Sequence, residues 1–101
     1  MTDALVSLDF EGEIIEWRGP APFLFVRVPD EHAGEVRYAA REVSYGWGVV
    51  PARARVDGHV FTTALFPRGE TYLLPVKVAV QRAAKVGLGD RVKVSLWIES
   101  R

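Results

Sequence analysis

Val49-Val50-Pro51-Ala52-Arg53-Ala54-Arg55-Val56-Asp57-Gly58-His59-Val60-Phe61-Thr62-Thr63-Ala64-Leu65-Phe66 is the stretch that decides the fold. Two β-prone runs flank Asp57-Gly58. That pair marks a two-residue type I′ hairpin, because both central residues of such a turn need positive φ. The turn sets the register: Val56 faces His59, Ala54 faces Phe61 and Ala52 faces Thr63 on one side of the ribbon. Arg55 opposite Val60 and Arg53 opposite Thr62 lie on the other side. An outward row of Val60, Ala64 and Phe66 is too apolar for open solvent. A helix or a second copy of the chain is expected over it, so a homodimer stays open.

Upstream, Leu5 to Trp17 alternates as a half-buried strand, with Val6, Leu8, Phe10, Gly12 and Ile14 inward and Asp9, Glu11 and Glu13 outward. Gly12 on the inner face suits a bend or a close backbone approach. Trp17-Arg18-Gly19-Pro20-Ala21-Pro22 is a rigid turn. Phe23 to Val28 is a strand that is apolar on both faces except at Arg27. Glu31 to Arg41 reads as a helix capped by Asp30, with Ala33, Val36, Ala40 and Val43 as its apolar stripe.

Downstream, Pro67-Arg68-Gly69-Glu70 is a turn and Thr71 to Leu74 an extended piece. Pro75 opens a helix from about Val76 to Val86 with Val76, Ala79, Val80 and Ala83 buried, and Gly87 caps it. The last strand points Val92, Val94, Leu96 and Ile98 inward. Six strands and two short helices in 101 residues make a mainly β fold, a small barrel forming a single domain over residues 1–101.

Composition narrows the function classes. Hydrophobic residues are 49% and charged residues 26% of the chain, an ordinary globular balance. Lys plus Arg is 13 and Asp plus Glu is 13, so no basic excess supports binding to a phosphate backbone. The absence of cysteine excludes disulfides, thiolate metal sites and thiol nucleophiles. No signal peptide or membrane-spanning run is present, so the expected setting is the cytoplasm with no membrane partner.

Several blocks resemble, in order, the bacterial domain-of-unknown-function family numbered nineteen-oh-five. They are Trp17-Arg18-Gly19-Pro20-Ala21-Pro22-Phe23, Tyr45-Gly46-Trp47-Gly48, Thr62-Thr63-Ala64-Leu65-Phe66-Pro67, Tyr72-Leu73-Leu74-Pro75-Val76-Lys77 and Gly87-Leu88-Gly89-Asp90-Arg91-Val92. The resemblance runs from Leu8 to Ile98. It implies a double-split β-barrel, the class that also holds swapped-hairpin regulators of the AbrB kind. It implies no activity, cofactor or catalytic residue.

The chemistry-bearing residues are sparse. His32 and His59 lack a helical partner histidine at metal-ligand spacing and read as surface histidines. Ser7, Ser44, Ser95 and Ser100 sit in no nucleophile elbow, and Asp9, Glu11 and Glu13 read as a solvated carboxylate row. The glycine pairs at 46/48 and 87/89 match no phosphate cradle. More informative are the aromatic loops. Trp17, Tyr45, Trp47 and Tyr72 flank turns, and Arg18 and Lys77 add charge. Such a set suits a cleft for an anionic or aromatic small ligand; used otherwise, the rings would plug the barrel ends.

The expected function is therefore a non-catalytic module that binds a small ligand or a protein, without cofactor or metal. Its candidate ligand-binding residues are Arg18, Tyr45, Trp47, Tyr72 and Lys77. Trp47, between two glycines, is expected to be partly exposed and within reach of Arg18 and Lys77. Two alternatives stand beside it: a nucleic-acid-binding regulator, by analogy of fold, and a cofactor-independent enzyme. A contiguous basic stripe would favour the regulator, and a deep pocket containing a carboxylate would favour the enzyme.

Overall fold

The computed structural model describes residues 4–17, 23–46 and 48–99. Along them run β1 (Ala4–Trp17), β2 (Phe23–Arg27), α1 (Asp30–Val43), β3 (Val50–Val56), β4 (His59–Arg68), β5 (Thr71–Pro75), α2 (Val78–Ala84) and β6 (Arg91–Glu99). The strands close into an antiparallel barrel in the order β1-β2-β5-β4-β3-β6.

Two strands are shared between the halves of this barrel. β1 pairs with β6 as far as Glu13↔Arg91, then with β2 from Ile14↔Val26 to Trp17↔Phe23. β4 pairs with β3 back to Leu65↔Val50, then with β5 from Phe66↔Leu73 onward. This is the double split that the family resemblance implies. Gly12 lies just before the handover in β1. A Cβ on Gly12 would stand 2.7 Å from Cγ1 of Val26, closer than real side chains approach. The glycine is therefore required by contact, as expected for a close approach on the inner face.

The hairpin follows the turn chemistry. All five cross-strand pairs expected between β3 and β4 are present, from Val56↔His59 to Ala52↔Thr63. Asp57 and Gly58 both have positive φ, 45° and 91°. Asp57 also fastens the hairpin tip to β6. Its N–H donates to the Lys93 carbonyl at 3.1 Å, and its Oδ1 accepts from the Lys93 N–H at 2.9 Å.

The core is the barrel interior. Val6, Leu8, Ile14, Val26, Val50, Ala54, Val56, Leu65, Leu74 and the inward residues Val92, Val94, Leu96 and Ile98 of β6 are all buried in one cluster. Helix α1 touches β1, β3, β5 and β6, which lie around the ring, so it lies across one mouth of the barrel. Its buried face is the expected stripe plus Ala39. Asp30 does not cap it with its side chain; the carboxylate instead takes Arg27 at 2.7 Å. Arg37 on the outer side of α1 donates to the Glu70 carbonyl at 2.7 Å, tying the helix to the β4–β5 turn. Among the described residues no helix is long and apolar enough to cross a membrane.

Helix α2 departs from the sequence expectation. Pro75 does not open it but ends β5, paired with Phe25, and the Val76 N–H donates to the Leu24 carbonyl at 2.9 Å. That sheet hydrogen bond holds the chain extended past Pro75, and the helix starts at Val78 with Lys77 as its N-cap. Ala79 and Ala83 are consequently exposed and Val80 is the buried contact. The left-handed C-cap is Lys85, at φ 58°, rather than Gly87. Gly87 donates its N–H to Asp90 Oδ2 at 2.8 Å and belongs to the following turn.

Gly58→Val is expected to lower stability by about 1–3 kcal/mol, the strain of a bulky residue at positive φ; a thermal melt with an unchanged midpoint would contradict the hairpin account. Gly12→Ala is expected to cost about 1–3 kcal/mol by overpacking against Val26. Combining it with Val26→Ala should cost less than the two changes summed, because the second removes the methyl that the first meets. Additive denaturation energies for the pair would show that the approach of β1 to β2 is not the cause.

Candidate functional site

Outward positions of an antiparallel sheet in water are ordinarily polar. On the half of the barrel formed by β1, β2, β5 and β4 most of them are apolar. The register sets Trp17 against Phe23, Phe25 against Pro75, and Leu73 against Phe66, all on the outer face. β5 is buried along its whole length, with Leu74 and Tyr72 in the core and Leu73 and Pro75 covered from outside. The outer apolar layer is only partly closed. Phe25 and Leu73 are 5% exposed, whereas Phe23 and Phe66 are 39% and 44% exposed.

Between them lies a groove of about 490 Å³, lined by Trp17, Phe23, Phe66, Pro67, Leu73 and Pro75 together with Arg68 and Lys77. Arg68 closes the β4 end over β1: its guanidinium carbon stands 3.7 Å from the centroid of the Trp17 ring. A stacked guanidinium keeps its edge N–H groups free while one face rests on the ring. Lys77 reaches the groove from the joint between β5 and α2. No described carboxylate forms an ion pair with either cation. The groove can therefore hold an apolar body by contact and meet a negative group at its edge.

The residues expected at the site are dispersed. Lys77 lines the groove. Tyr72 is 7% exposed and part of the barrel core, because its neighbour Leu73 takes the outer face of β5. Tyr45 is exposed and pairs with Val49 across a short bridge. That turn lies beside the groove rim, since a Cβ on Gly48 would stand 3.5 Å from Cγ of Pro67. Arg18 and Trp47, and with them the expectation for Trp47, lie outside the described residues. Sequence reasoning missed Phe23, Phe66, Arg68, Leu73 and Pro75 as lining. The signal that pointed to them was apolarity on both faces of Phe23–Val28 and the outward Phe66 on β4.

A second concavity, of about 600 Å³, lies on the other half of the barrel between Asp9, Phe10, Glu11, Arg55, Gly58, Lys93, Val94 and Ser95. Its polar groups are largely engaged with one another. Ser95 Oγ donates to Asp9 Oδ1 at 2.6 Å and accepts from Arg55 Nη2 at 3.3 Å. Arg55 also rests over the Trp97 ring at 5.7 Å, and Arg91 stands 3.7 Å from Glu11. Among the described residues no three His, Cys, Asp or Glu side chains converge as metal donors. His32 packs beside Phe10, with ring centroids 6.2 Å apart.

No curated protein matches the chain. The sequence model of a family described as a domain of unknown function, DUF1905, matches residues 10–96. That span runs from within β1 to within β6 and takes in β2 to β5, both helices and the residues that line the groove, and the chain belongs to the DUF1905 family.

Proposed function

We propose that this chain is a non-catalytic binding module whose site is the groove across β1, β2, β5 and β4. The observation that carries this reading is the wall chemistry. Six apolar side chains and two solvent-facing cations line the groove, and no carboxylate, hydroxyl or imidazole stands among the described lining residues. Acid–base chemistry needs a group that accepts and returns a proton within hydrogen-bond reach of the reacting atom. Binding needs only apolar area and a few placed polar groups, and a volume near 490 Å³ falls within the usual small-ligand range.

Other observations weigh in the same direction. The cations of the β3–β6 face are interleaved with acids, Arg53 with Glu99 at 3.3 Å and Arg91 with Glu11 at 3.7 Å. A nucleic-acid reader would instead present them as a stripe. In the polar concavity the Asp9 carboxylate accepts a hydrogen bond from Ser95. We also propose a cytoplasmic setting, to which a cysteine-free chain is suited.

The neutral dye N-phenyl-1-naphthylamine is a direct probe, because its emission rises on entering an apolar site. Phe66→Ser should weaken its binding about tenfold, the loss of roughly 1.4 kcal/mol of apolar contact. The same change should move stability by less than about 1 kcal/mol, since the ring is 44% exposed. A dye affinity unchanged by Phe66→Ser and by Phe23→Ser would remove the groove as the site.

A further inference from the structure

We infer that the ligand of this groove is a small amphipathic organic monoanion, a flat or short apolar body bearing one carboxylate, and that Arg68 and Lys77 read its charge. The inference rests on the groove being a binding site and names the class of ligand it selects. Both charged residues in the lining are cations, and both lack a carboxylate partner among the described residues. Three exposed arginines of the barrel pair with an acid, Arg27 with Asp30 at 2.7 Å, Arg53 with Glu99 and Arg91 with Glu11, whereas Arg68 rests on an aromatic ring at the groove.

Position strengthens the argument. An unrestrained arginine would lose side-chain entropy on binding an anion. Arg68 is already ordered by its 3.7 Å stack on Trp17, so its planar N–H fork is presented at the groove edge. A carboxylate accepts two parallel hydrogen bonds from such a fork. Lys77 supplies a second, mobile donor on the same rim. Among the described residues the lining places no negative group there to receive a cation and no neutral side-chain donor or acceptor to orient an amide or alcohol, apart from the Trp17 indole N–H. An apolar body with one negative end is the chemistry that uses all of these groups. The groove volume is that of a small molecule rather than of a macromolecular face.

The test compares two probes of one shape. 1-Naphthoate and 1-naphthamide differ in charge and little else, and each can be titrated as a competitor of N-phenyl-1-naphthylamine on the full chain. At low salt the carboxylate is expected to bind about fivefold or more tightly than the amide, with the margin shrinking toward 1 M salt as screening grows. Arg68→Gln with Lys77→Gln should bring the ratio close to one while leaving the neutral dye bound. Arg68→Lys should keep part of the preference, because charge remains but the planar fork is lost. Arg41→Gln, an exposed cation on α1 away from the groove, should change nothing.

Equal binding of naphthoate and naphthamide, with the dye bound, overturns the charge reading and leaves the groove intact. Failure of the dye itself to bind overturns both. A carboxylate preference that survives the Arg68→Gln/Lys77→Gln variant, with a melt as sharp as that of the parent chain, assigns the selection to other residues and overturns the roles given to these two.

Discussion

Near Gly12, where a Cβ would strike Val26, β1 passes from β6 to β2, and the closure of the barrel depends on that change of partner. A sheet of six strands with open edges would leave unpaired N–H and C=O groups on two sides. Here β1 and β4 each serve two neighbours, so no strand in the ring lacks a partner on either side. Close to the handover in β1 stands a residue without a Cβ, at a place where even one methyl carbon would sit 2.7 Å from its neighbour. The interior of branched aliphatic side chains then fills a ring whose shape has already been set.

The double split also explains where the candidate site lies. The half of the barrel made by β2 and β5 has short strands of five residues each, and their pairing with one another spans only Phe25↔Pro75 to Arg27↔Leu73. So short a ladder gains stability from being buried on both faces, and β5 is. An outer layer of aromatic rings and prolines does the covering, and it is incomplete. The other half, made by β1, β6, β3 and β4, has longer ladders and carries ordinary charged pairs outside. An apolar groove and a polar face on one small barrel thus follow from unequal strand lengths.

Much of this architecture was legible in the residues, for local reasons. Asp57-Gly58 dictates its turn through backbone sterics that no distant contact overrides, and the whole β3–β4 register follows. The alternation of β6 and the stripe of α1 are periodic signals against one buried side. Helix α2 starts later than its sequence predicts because Val76 is held by a hydrogen bond to Leu24, a partner 52 positions earlier in the chain that no window around Pro75 contains, and it ends earlier at the left-handed Lys85. The site was legible in kind rather than in place. The residue types lead one to expect an aromatic, cationic cleft, and of the residues named for it Lys77 lines the groove. Phe23, Leu73 and Phe66 become one wall only when β2, β5 and β4 lie side by side. Arg68 stood in an apparent turn until its reach to Trp17 was visible. Tyr72 was separated from the site by the parity of β5, which turns on a single residue.

The pairing of Ala4 with Glu99 closes the ring between its first and last strands. Opposed residues in an antiparallel pair have Cα atoms about 4.5–5.5 Å apart. The two ends of the barrel therefore share a single doorway. A host protein could accept this unit within one of its surface loops and keep both stems of that loop almost where they were, in the manner of a bead clipped onto a thread. The seam that shuts the barrel is equally the place where it joins anything else, and a pull applied to both ends at once would load the β1–β6 ladder first, opening it one hydrogen-bonded pair at a time.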